Sequence, residues 1–327
     1  MVWLWKTVLR HLGGGSDSQV SHPDLATNMT RNPQWLLDHS SNKYSQTGED
    51  GVIAKTLSLL PETDGWCVEF GAWDGVYLSN VRRLILEERY RAILIEGDRK
   101  KFKSLKANFA NNKDVETLCR FVGFGDRDGL DEILSSYRIP TNFDFLSIDI
   151  DGNDYHVWEA VKEYRPKVVC VEFNPTIPSE VHFVQTPDPR IAQGCSLLAL
   201  YELARVKSYE LVCVLPFNAF FVAREYFAAF EIADNSPPFL RKDLSAITWL
   251  FSGFDGSVHL AGSKRMPWHG LSIDERGLQV LPRILRSYPE NYTFFQRRLL
   301  RLVKTLRLFR NQQFSFVPRS MELKKKH

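Results

Sequence analysis

The sequence predicts an α/β fold built on a mostly parallel sheet, and two observations lead to that prediction. From residue 66 onward, short apolar runs alternate with longer amphipathic stretches; the runs are WCVEF, AILIE, VETLCRFV, FDFLSID and KVVCVEF. Strands that are apolar along their whole length indicate a sheet covered on both faces, as helical crossovers between parallel strands produce. With 327 residues, of which 44% are hydrophobic, the chain is long enough to bury one full core.

The helices are predicted between these runs. The amphipathic stretches cover 78–90, 99–111, 128–137, 154–164 and, after a loop, 196–207. Before the first strand, a polar cluster precedes apolar positions at helical spacing and predicts a capped helix that Pro61 ends. Right-handed crossovers bring the loops that follow the strands to one edge of the sheet, where ligands of open α/β sheets bind.

The last two strands of the sheet are predicted to run antiparallel. YELVCVLP and NAFFVARE are separated by too few residues for a crossover, so they should form a hairpin. Five βα units closed by a sixth strand and a reversed seventh strand are the plan of class I S-adenosylmethionine (SAM) methyltransferases. We therefore expect a lead-in over 1–42, a domain with this fold over 43–224 and a C-terminal extension over 225–327, whose last predicted helix covers 294–310.

Composition restricts the cellular setting. The five cysteines are scattered, with neither a CxxC pair nor a close Cys/His pair, which favours buried free thiols in a reducing compartment. The apolar stretch at the start is too short to span a bilayer, is broken by Lys6 and Arg10, and lacks a secretory cleavage pattern. We therefore expect a cytoplasmic protein.

The charge is unevenly distributed. Residues 297–327 contain ten Lys/Arg against one Glu, a net charge of +9, so the preceding 296 residues carry −6 out of the overall +3. The segment RRLLRLVKTLRLFR forms a basic amphipathic pattern that ends near Phe309. Such a helix usually packs its apolar face on its own domain, which is our expectation, although peripheral contact with a membrane stays open. The sequence carries no strong nucleic-acid signal, and it leaves the oligomeric state open.

The turn after the first strand discriminates between two cofactor classes. It reads VEFGAWDG, with Glu69 in the strand and glycines at Gly71 and Gly75. In a dinucleotide-binding turn, small neutral residues let a helix N-terminus approach a pyrophosphate, whereas Trp73 and Asp74 stand there in this chain. A carboxylate repels a diphosphate but attracts the sulfonium and ammonium groups of SAM. The turn therefore favours SAM over NAD.

Two further acids are predicted to contact the cofactor. Glu96 ends the second strand, where a carboxylate can accept hydrogen bonds from both ribose hydroxyls; its alternative role is to cap the helix that follows. Asp126 follows the third strand in GFGDRDG, where it can meet the adenine amino group or serve as an ordinary turn residue.

The stretch FDFLSIDIDGNDYHVW is the densest polar region. Asp149 and Asp151 follow the fourth strand, and Glu172 and Asn174 follow the neighbouring fifth strand, so their oxygens could hold Mg²⁺. Two alternatives stay open: the acids bind cationic cofactor groups or a substrate hydroxyl directly, or the segment simply makes a turn that caps the next helix. His156 is the nearby side chain whose ordinary pKa suits a general base.

The segment 174–195 contains four prolines between the fifth strand and its helix. A loop of that length in a compact domain is usually functional, so we expect it to act as a lid or a binding loop.

Six motifs occur in an order that resembles one family. YSQTGEDG, VEFGAWDG, LIEGD, LSIDIDGNDYHVW, VEFNP and GCSLLALYELARVKSYELVCV followed by NAFFV are similar to motifs of FkbM-like SAM-dependent methyltransferases, in the branch with an IDIDGNDY signature. The resemblance covers about residues 43–224 and implies a class I fold with SAM at 69–75 and at Glu96. It further implies that Gln46 and Glu49 face the cofactor and that Asp149 and Asp151 lie at the reaction centre.

The sequence thus predicts a SAM-dependent methyltransferase that methylates a hydroxyl of a sugar or another small molecule. The alternative is a non-catalytic binding or scaffold protein that keeps the fold and uses its basic tail to reach a membrane or RNA.

Overall fold

The computed structural model describes residues 32–308. Most of the predicted lead-in, and the tail beyond 308 with Phe309, lie outside the described residues. The described helices are α1 Glu49–Leu57, α2 Arg82–Glu87, α3 Arg99–Asn108, α4 Leu130–Ser135, α5 Asp154–Ala160, α6 Leu197–Val206, α7 Pro237–Leu240 and α8 Phe294–Leu308. Short 3₁₀ turns, among them Trp35–His39 and Arg224–Phe230, connect several of these elements.

Seven strands form one sheet. They are β1 Trp66–Phe70, β2 Arg91–Ile95, β3 Val115–Leu118, β4 Phe145–Ile148, β5 Val168–Glu172, β6 Tyr209–Val214 and β7 Asn218–Ala223. Their order across the sheet is β3-β2-β1-β4-β5-β7-β6, with β1 to β5 parallel and β7 antiparallel to both of its neighbours. The chain therefore has the Rossmann-like fold of class I SAM methyltransferases, as the sequence predicts.

The reversed strand β7 enters the sheet between β5 and β6. Its first residue, Asn218, pairs with Glu172 at the end of β5. Because β7 runs backwards, its start lies at the edge where the parallel strands end. A residue of the hairpin is thereby brought to the edge where ligands of such sheets bind.

The core explains why the strands form as predicted. Strand residues of β4 and β7 are all buried, so neither face of these strands is open to water. On one face, the fully buried Trp158 of α5 packs against the rings of Tyr209 and Phe221, at centroid distances of 5.8 and 5.0 Å. Aromatic packing of this kind fixes the position of the helix that follows the densest polar region.

A buried ion pair joins three strands at the edge opposite the predicted site. The Lys167 ammonium, just before β5, lies 2.7 Å from a carboxylate oxygen of Asp144, just before β4, and 3.2 Å from Asp64, just before β1. The Asp144 carboxylate also accepts hydrogen bonds from the backbone amides of Asp64 and Gly65. The starts of β1, β4 and β5 are thus fastened to each other.

The extension forms separate small elements. They are the antiparallel pair β8 Thr248–Ser252 with β9 Val258–Gly262, the shorter pair β10 Arg265–Met266 with β11 Leu271–Ser272, and α8. Within residues 32–308, no helix is both long enough and apolar enough to cross a membrane.

Candidate functional site

The predicted site residues lie at the carboxyl edge of the sheet, where β1 and β4 come very close together. Gly71 follows β1 with a positive φ of 75°, and a Cβ built on it would lie 1.7 Å from the Asp149 carbonyl oxygen. Gly75, with a φ of 68°, faces Phe109 of the segment after α3, whose ring would be 2.4 Å from an added Cβ. Both glycines are therefore required by close approaches within the fold.

The turn after β1 uses its own carboxylate to satisfy its amides. One oxygen of Asp74 accepts hydrogen bonds from the backbone N–H groups of Val76 and Tyr77, at 2.9 and 2.8 Å. Trp73 has a left-handed backbone with a φ of 50°, and its indole is half exposed beneath the Lys101 ammonium, 3.7 Å from the ring centre. The donors that an incoming phosphate would need at this turn are already occupied.

Glu69 likewise accepts hydrogen bonds from the chain between β1 and α2. Its carboxylate is buried and accepts hydrogen bonds from the Ser79 hydroxyl at 2.7 Å and from the Asn80 amide at 2.8 Å, just before α2. Burial raises the pKa of Glu69 to about 7, against the opposing effect of these hydrogen bonds. Glu69 therefore ties the approach to α2 to the end of β1.

Glu96 connects the ends of β1 and β2. Its buried carboxylate accepts hydrogen bonds from the backbone amide of Trp73 at 2.8 Å and from that of Asp98 at 2.6 Å. Beside it, the Phe121 ring lies over Gly97, where an added Cβ would be 2.4 Å from the ring, yet 78% of Phe121 is exposed. An exposed aromatic ring next to the acid at the end of β2 offers a flat surface on which a nucleobase can stack. Phe121 was not among the residues predicted from the sequence.

Asp126 lies in the exposed loop that follows β3. That loop is organised by Asp128, whose carboxylate accepts a hydrogen bond from the Gly125 amide at 2.9 Å and whose carbonyl accepts one from Gly123 at 2.8 Å. The Asp126 carboxylate is thereby presented to solvent at the same end of the sheet.

The segment before α1 folds around two buried acids. Three successive backbone amides, from Lys43 to Ser45, donate to one oxygen of Asp50. The fully buried Glu49 accepts from the amide of Gln46 at 3.1 Å and from the side-chain amide of Asn218 at 3.1 Å. Glu49 therefore docks this segment on the start of β7, while the Gln46 side chain is exposed.

Asp154 shapes the turn after β4. Its buried carboxylate accepts hydrogen bonds from the backbone amides of Ile150 and Gly152, both at 2.9 Å. Between them Asp151 adopts a left-handed backbone with a φ of 57° and an exposed side chain. Burial, opposed by these hydrogen bonds, raises the pKa of Asp154 to about 6. The turn thus holds Asp151 outward in a conformation that Asp tolerates better than most residues.

Three carboxylates converge at the ends of β4 and β5. One oxygen each of Asp149, Asp151 and Glu172 lies within 4.8 Å of the others. Burial, reinforced by the neighbouring charges, raises the pKa of Asp149 and of Glu172 well above the ordinary range. Because these buried carboxylates repel one another when charged, a bound cation would favour their charged forms.

Asn174, the fourth predicted ligand, is engaged elsewhere. Its amide oxygen accepts hydrogen bonds from the backbone amide of Thr176 at 3.0 Å and from the Thr176 hydroxyl at 2.7 Å, and its amide nitrogen donates to the Gln193 carbonyl at 2.9 Å. In this structure Asn174 therefore connects the two ends of the proline-rich loop.

The loop 174–195 is organised around Gln185, which is 2% exposed. Its side-chain oxygen accepts from the amides of Gln193 and Gly194, and its side-chain nitrogen donates to Asn153 and to the Ile191 carbonyl. The Gln185 carbonyl oxygen lies 2.8 Å from Nε2 of His156. His156 thereby fastens the loop to α5, and its other ring nitrogen lies 3.9 Å from Glu159.

A cavity of about 340 Å³ opens beside the carboxylate cluster. Three of its walls are formed by the turn after β4 with Asp151 and Asp154, by the end of β5 with Glu172, and by the loop at 192–194. The extension contributes the fourth wall, Trp268 and His269, from the connection between β10 and β11. Sequence analysis assigned no role to these two residues.

The chain was also compared with known proteins. Among solved structures, an O-methyltransferase from Bacillus cereus in complex with S-adenosylhomocysteine (SAH) is 18% identical with a TM-score of 0.39, covering 61% of this chain and 94% of that one. A SAM-dependent methyltransferase from Aquifex aeolicus is 12% identical with a TM-score of 0.33, covering 59% and 99%. The N-terminal domain of EvdMO1, in the presence of SAH and D-fucose, is 10% identical with a TM-score of 0.35, covering 60% and 95%. The comparisons with protein-family models and with curated proteins find no match.

Proposed function

We propose that this protein is a SAM-dependent methyltransferase that transfers a methyl group to a hydroxyl of a sugar or another small molecule. The observation that carries the proposal is how the carboxyl edge of the sheet distributes its charge. The amides after β1 are occupied by the chain's own Asp74 and Glu69, and the cluster of Asp149, Asp151 and Glu172 remains facing the edge. That arrangement suits a cationic nucleoside.

A dinucleotide fits the same edge poorly. Pyrophosphate is bound in doubly wound folds by free backbone N–H groups at a helix N-terminus. Here the N–H groups of Val76, Tyr77 and Asn80 donate to carboxylates, so a diphosphate would have to displace a like charge.

The nucleoside half of SAM fits residues that can still accept hydrogen bonds. Each Glu96 oxygen accepts one backbone hydrogen bond and retains a second lone pair with which to accept from a ribose hydroxyl. The exposed Phe121 ring would stack on the adenine, with Asp126 available to its amino group. Asp149, at the close approach of β1 and β4, is the carboxylate best placed for the cationic groups.

The acceptor would occupy the cavity beneath Trp268 and His269. Methyl transfer moves the methyl carbon from sulfur to the acceptor oxygen, releases SAH, and passes the hydroxyl proton to a base. Positioning alone can supply roughly 7–11 kcal/mol of the barrier, and the cavity walls would provide it. We propose that the group that accepts this proton is one of the predicted catalytic residues Asp149, Asp151 and His156. His269, which lines the cavity, is a further candidate.

We further propose that Mg²⁺ binds Asp149, Asp151 and Glu172. Carboxylate oxygens are its preferred ligands, and three of them within 4.8 Å can share one cation. When bound, the ion would lower the pKa of a coordinated acceptor hydroxyl. Asn174 would join this set only after releasing Thr176.

We also propose that the chain belongs to the FkbM-like family, that its methyltransferase domain covers residues 43–224, and that the protein is cytoplasmic. The five cysteines are free thiols, and all but Cys119 are buried, which is compatible with a reducing compartment.

The first experiment is titration calorimetry with SAM, SAH and NAD. We expect SAM and SAH to bind and NAD not to bind. Phe121→Ala should weaken SAM binding by roughly tenfold, since stacking contributes about 1–3 kcal/mol per base. The control Phe239→Ala removes another exposed ring, on α7, and should leave SAM binding unchanged. Binding of NAD alone would replace the proposal with a dehydrogenase.

A second experiment addresses the acceptor and the metal. SAM with a labelled methyl group is incubated with small-molecule extracts, and methylated products are identified with and without Mg²⁺. Mg²⁺ should also raise the melting temperature of the wild-type protein more than that of Asp151→Asn. Equal stabilisation of the two proteins would remove the metal from the proposal while leaving methyl transfer intact.

A further inference from the structure

Among residues 32–308, the apolar stripe of α8 is left uncovered at several positions. Phe295, Leu302 and Leu306 recur at helical spacing on one face, and their side chains are 63%, 55% and 63% exposed. Within the described residues, α8 packs mainly on the 3₁₀ turn Arg283–Leu285, to which it is tied by a hydrogen bond from Gln296 to the Ile284 carbonyl at 2.9 Å. The expectation that this face packs on its own domain is therefore not met at these three positions.

The same helix is strongly basic. Between 294 and 308 it carries five Lys/Arg and no acid, and Arg301 and Lys304 are exposed. The wider segment 245–308 carries ten Lys/Arg against four Asp/Glu, a net charge of +6. It also holds fourteen of the twenty-four exposed large apolar side chains among residues 32–308. Apolar exposure and positive charge thus coincide in the extension.

We propose that α8 binds the surface of membranes rich in anionic phospholipid. Lying in the plane of the interface, the helix would bury Phe295, Leu302 and Leu306 among the acyl chains near the headgroups, and Arg301 and Lys304 would meet the phosphates. Fifteen residues extend only about 22 Å, so the helix would lie on the bilayer. Charge complementarity favours this occupant over the α8 of a second copy, which would carry the same positive charge.

Vesicle sedimentation of the full-length protein tests the proposal. Vesicles of phosphatidylcholine with about one third phosphatidylserine should sediment the protein at low salt, and pure phosphatidylcholine vesicles should sediment far less. Leu302→Ser combined with Leu306→Ser should lower the partition coefficient at least tenfold without changing the charge. Arg301→Gln combined with Lys304→Gln should lower it by roughly thirtyfold, since each of the two basic residues contributes about 1 kcal/mol near such a surface.

The matched control removes two charges from another basic helix. Lys103 and Lys106 are exposed on α3, so Lys103→Gln with Lys106→Gln should bind vesicles like the wild type. Equal losses in both charge variants would indicate unspecific attraction and overturn the proposal. So would wild-type binding by the double Leu variant, or a stable dimer by light scattering that this variant dissociates. Circular dichroism and thermal melts serve as the fold control for every variant.

Discussion

At the scale of single residues, Gly71 shows how the fold restricts the start of the site. Its φ of 75° lies in the left-handed region, and an added Cβ would lie 1.7 Å from the Asp149 carbonyl oxygen. Gly71→Ala should therefore lower the free energy of unfolding by about 2–4 kcal/mol, from the backbone conformation and the clash together. Urea denaturation measures this change.

Gly65 provides the control for that substitution. Its φ is 74°, yet an added Cβ would meet nothing within 4 Å. Gly65→Ala should cost about 1 kcal/mol, the conformational part alone. Similar losses in the two variants would show that β1 and β4 are free to move apart, and the close approach at the site would lose its significance.

Glu69 predicts a pH dependence of stability. Its pKa is raised from the ordinary 4.5 to about 7, so the folded protein holds a proton that the unfolded chain has already lost between these values. The associated stabilisation is fully present below the unfolded pKa and is lost as the pH rises through the folded pKa. Relative to Glu69→Gln, the wild-type free energy of unfolding should fall by about 2 kcal/mol between about pH 5 and about pH 8.

Denaturation curves of both proteins at the two pH values, without cofactor, check this prediction. The Gln variant loses one acceptor for Ser79 or Asn80 at either pH, so only the pH-dependent difference is diagnostic. A difference that stays constant with pH would mean that Glu69 is ionised in the folded protein throughout.

Residue patterns identified where the polar groups gather but not what each one binds. The sequence places Asp74 at the turn, and only the folded backbone shows its carboxylate accepting from Val76 and Tyr77. Phe121 was missed because it lies inside the third apolar run, VETLCRFV, and was taken for a strand residue, whereas β3 ends at Leu118 and leaves the ring exposed.

At the scale of elements, the sequence predicted the type and order of the strands correctly. The reversal of β7 could be predicted because it depends on a local feature, the short connection between residues 214 and 218, which is too short for a crossover. Helix ends were predicted less well: the stretch 78–90 contains only α2, six residues long. The preceding residues are instead held by the long-range acid Glu69, which no local pattern encodes.

The buried ion pair predicts a strong effect on stability at the other edge of the sheet. Asp144→Asn leaves Lys167 buried with a single remaining partner, Asp64, and should cost about 3 kcal/mol or more. Asp64→Asn, at a side chain 27% exposed, should cost under about 1 kcal/mol. Thermal melts of the two variants compare these effects, and SAM binding by folded protein should be unchanged because the pair lies far along the strands from the site.

Equal costs in the two variants would mean that Asp64 and Asp144 share the Lys167 charge evenly. No sequence pattern indicates this group of Asp64, Asp144 and Lys167, since the three residues precede three different strands and meet only when the parallel sheet forms.

At the scale of the whole molecule, the alternation of strands and helices determined which edge of the sheet would collect the acids. The part that closes the site came from elsewhere in the chain. The loop 174–195 is ordered by Gln185 through contacts with Asn153 and His156, and the cavity is completed by the extension. Patterns in 225–327 were weak, so their contribution was not predictable from periodicity.

The extension's share of the cavity leads to a prediction about the whole protein. Trp268 lines the same cavity as Asp151 and Glu172, so Trp268→Ala should remove an acceptor-binding surface without changing the residues proposed to hold the cofactor. We expect SAH formation with an active small-molecule extract to fall at least tenfold at limiting acceptor, while the SAM dissociation constant stays within twofold. The control Trp249→Ala removes a similarly exposed indole from β8, outside the cavity lining, and should keep full activity. Equal losses of activity in both variants would mean that the substitutions act by destabilising the extension. Full activity in both variants would mean that the acceptor binds elsewhere along the sheet edge.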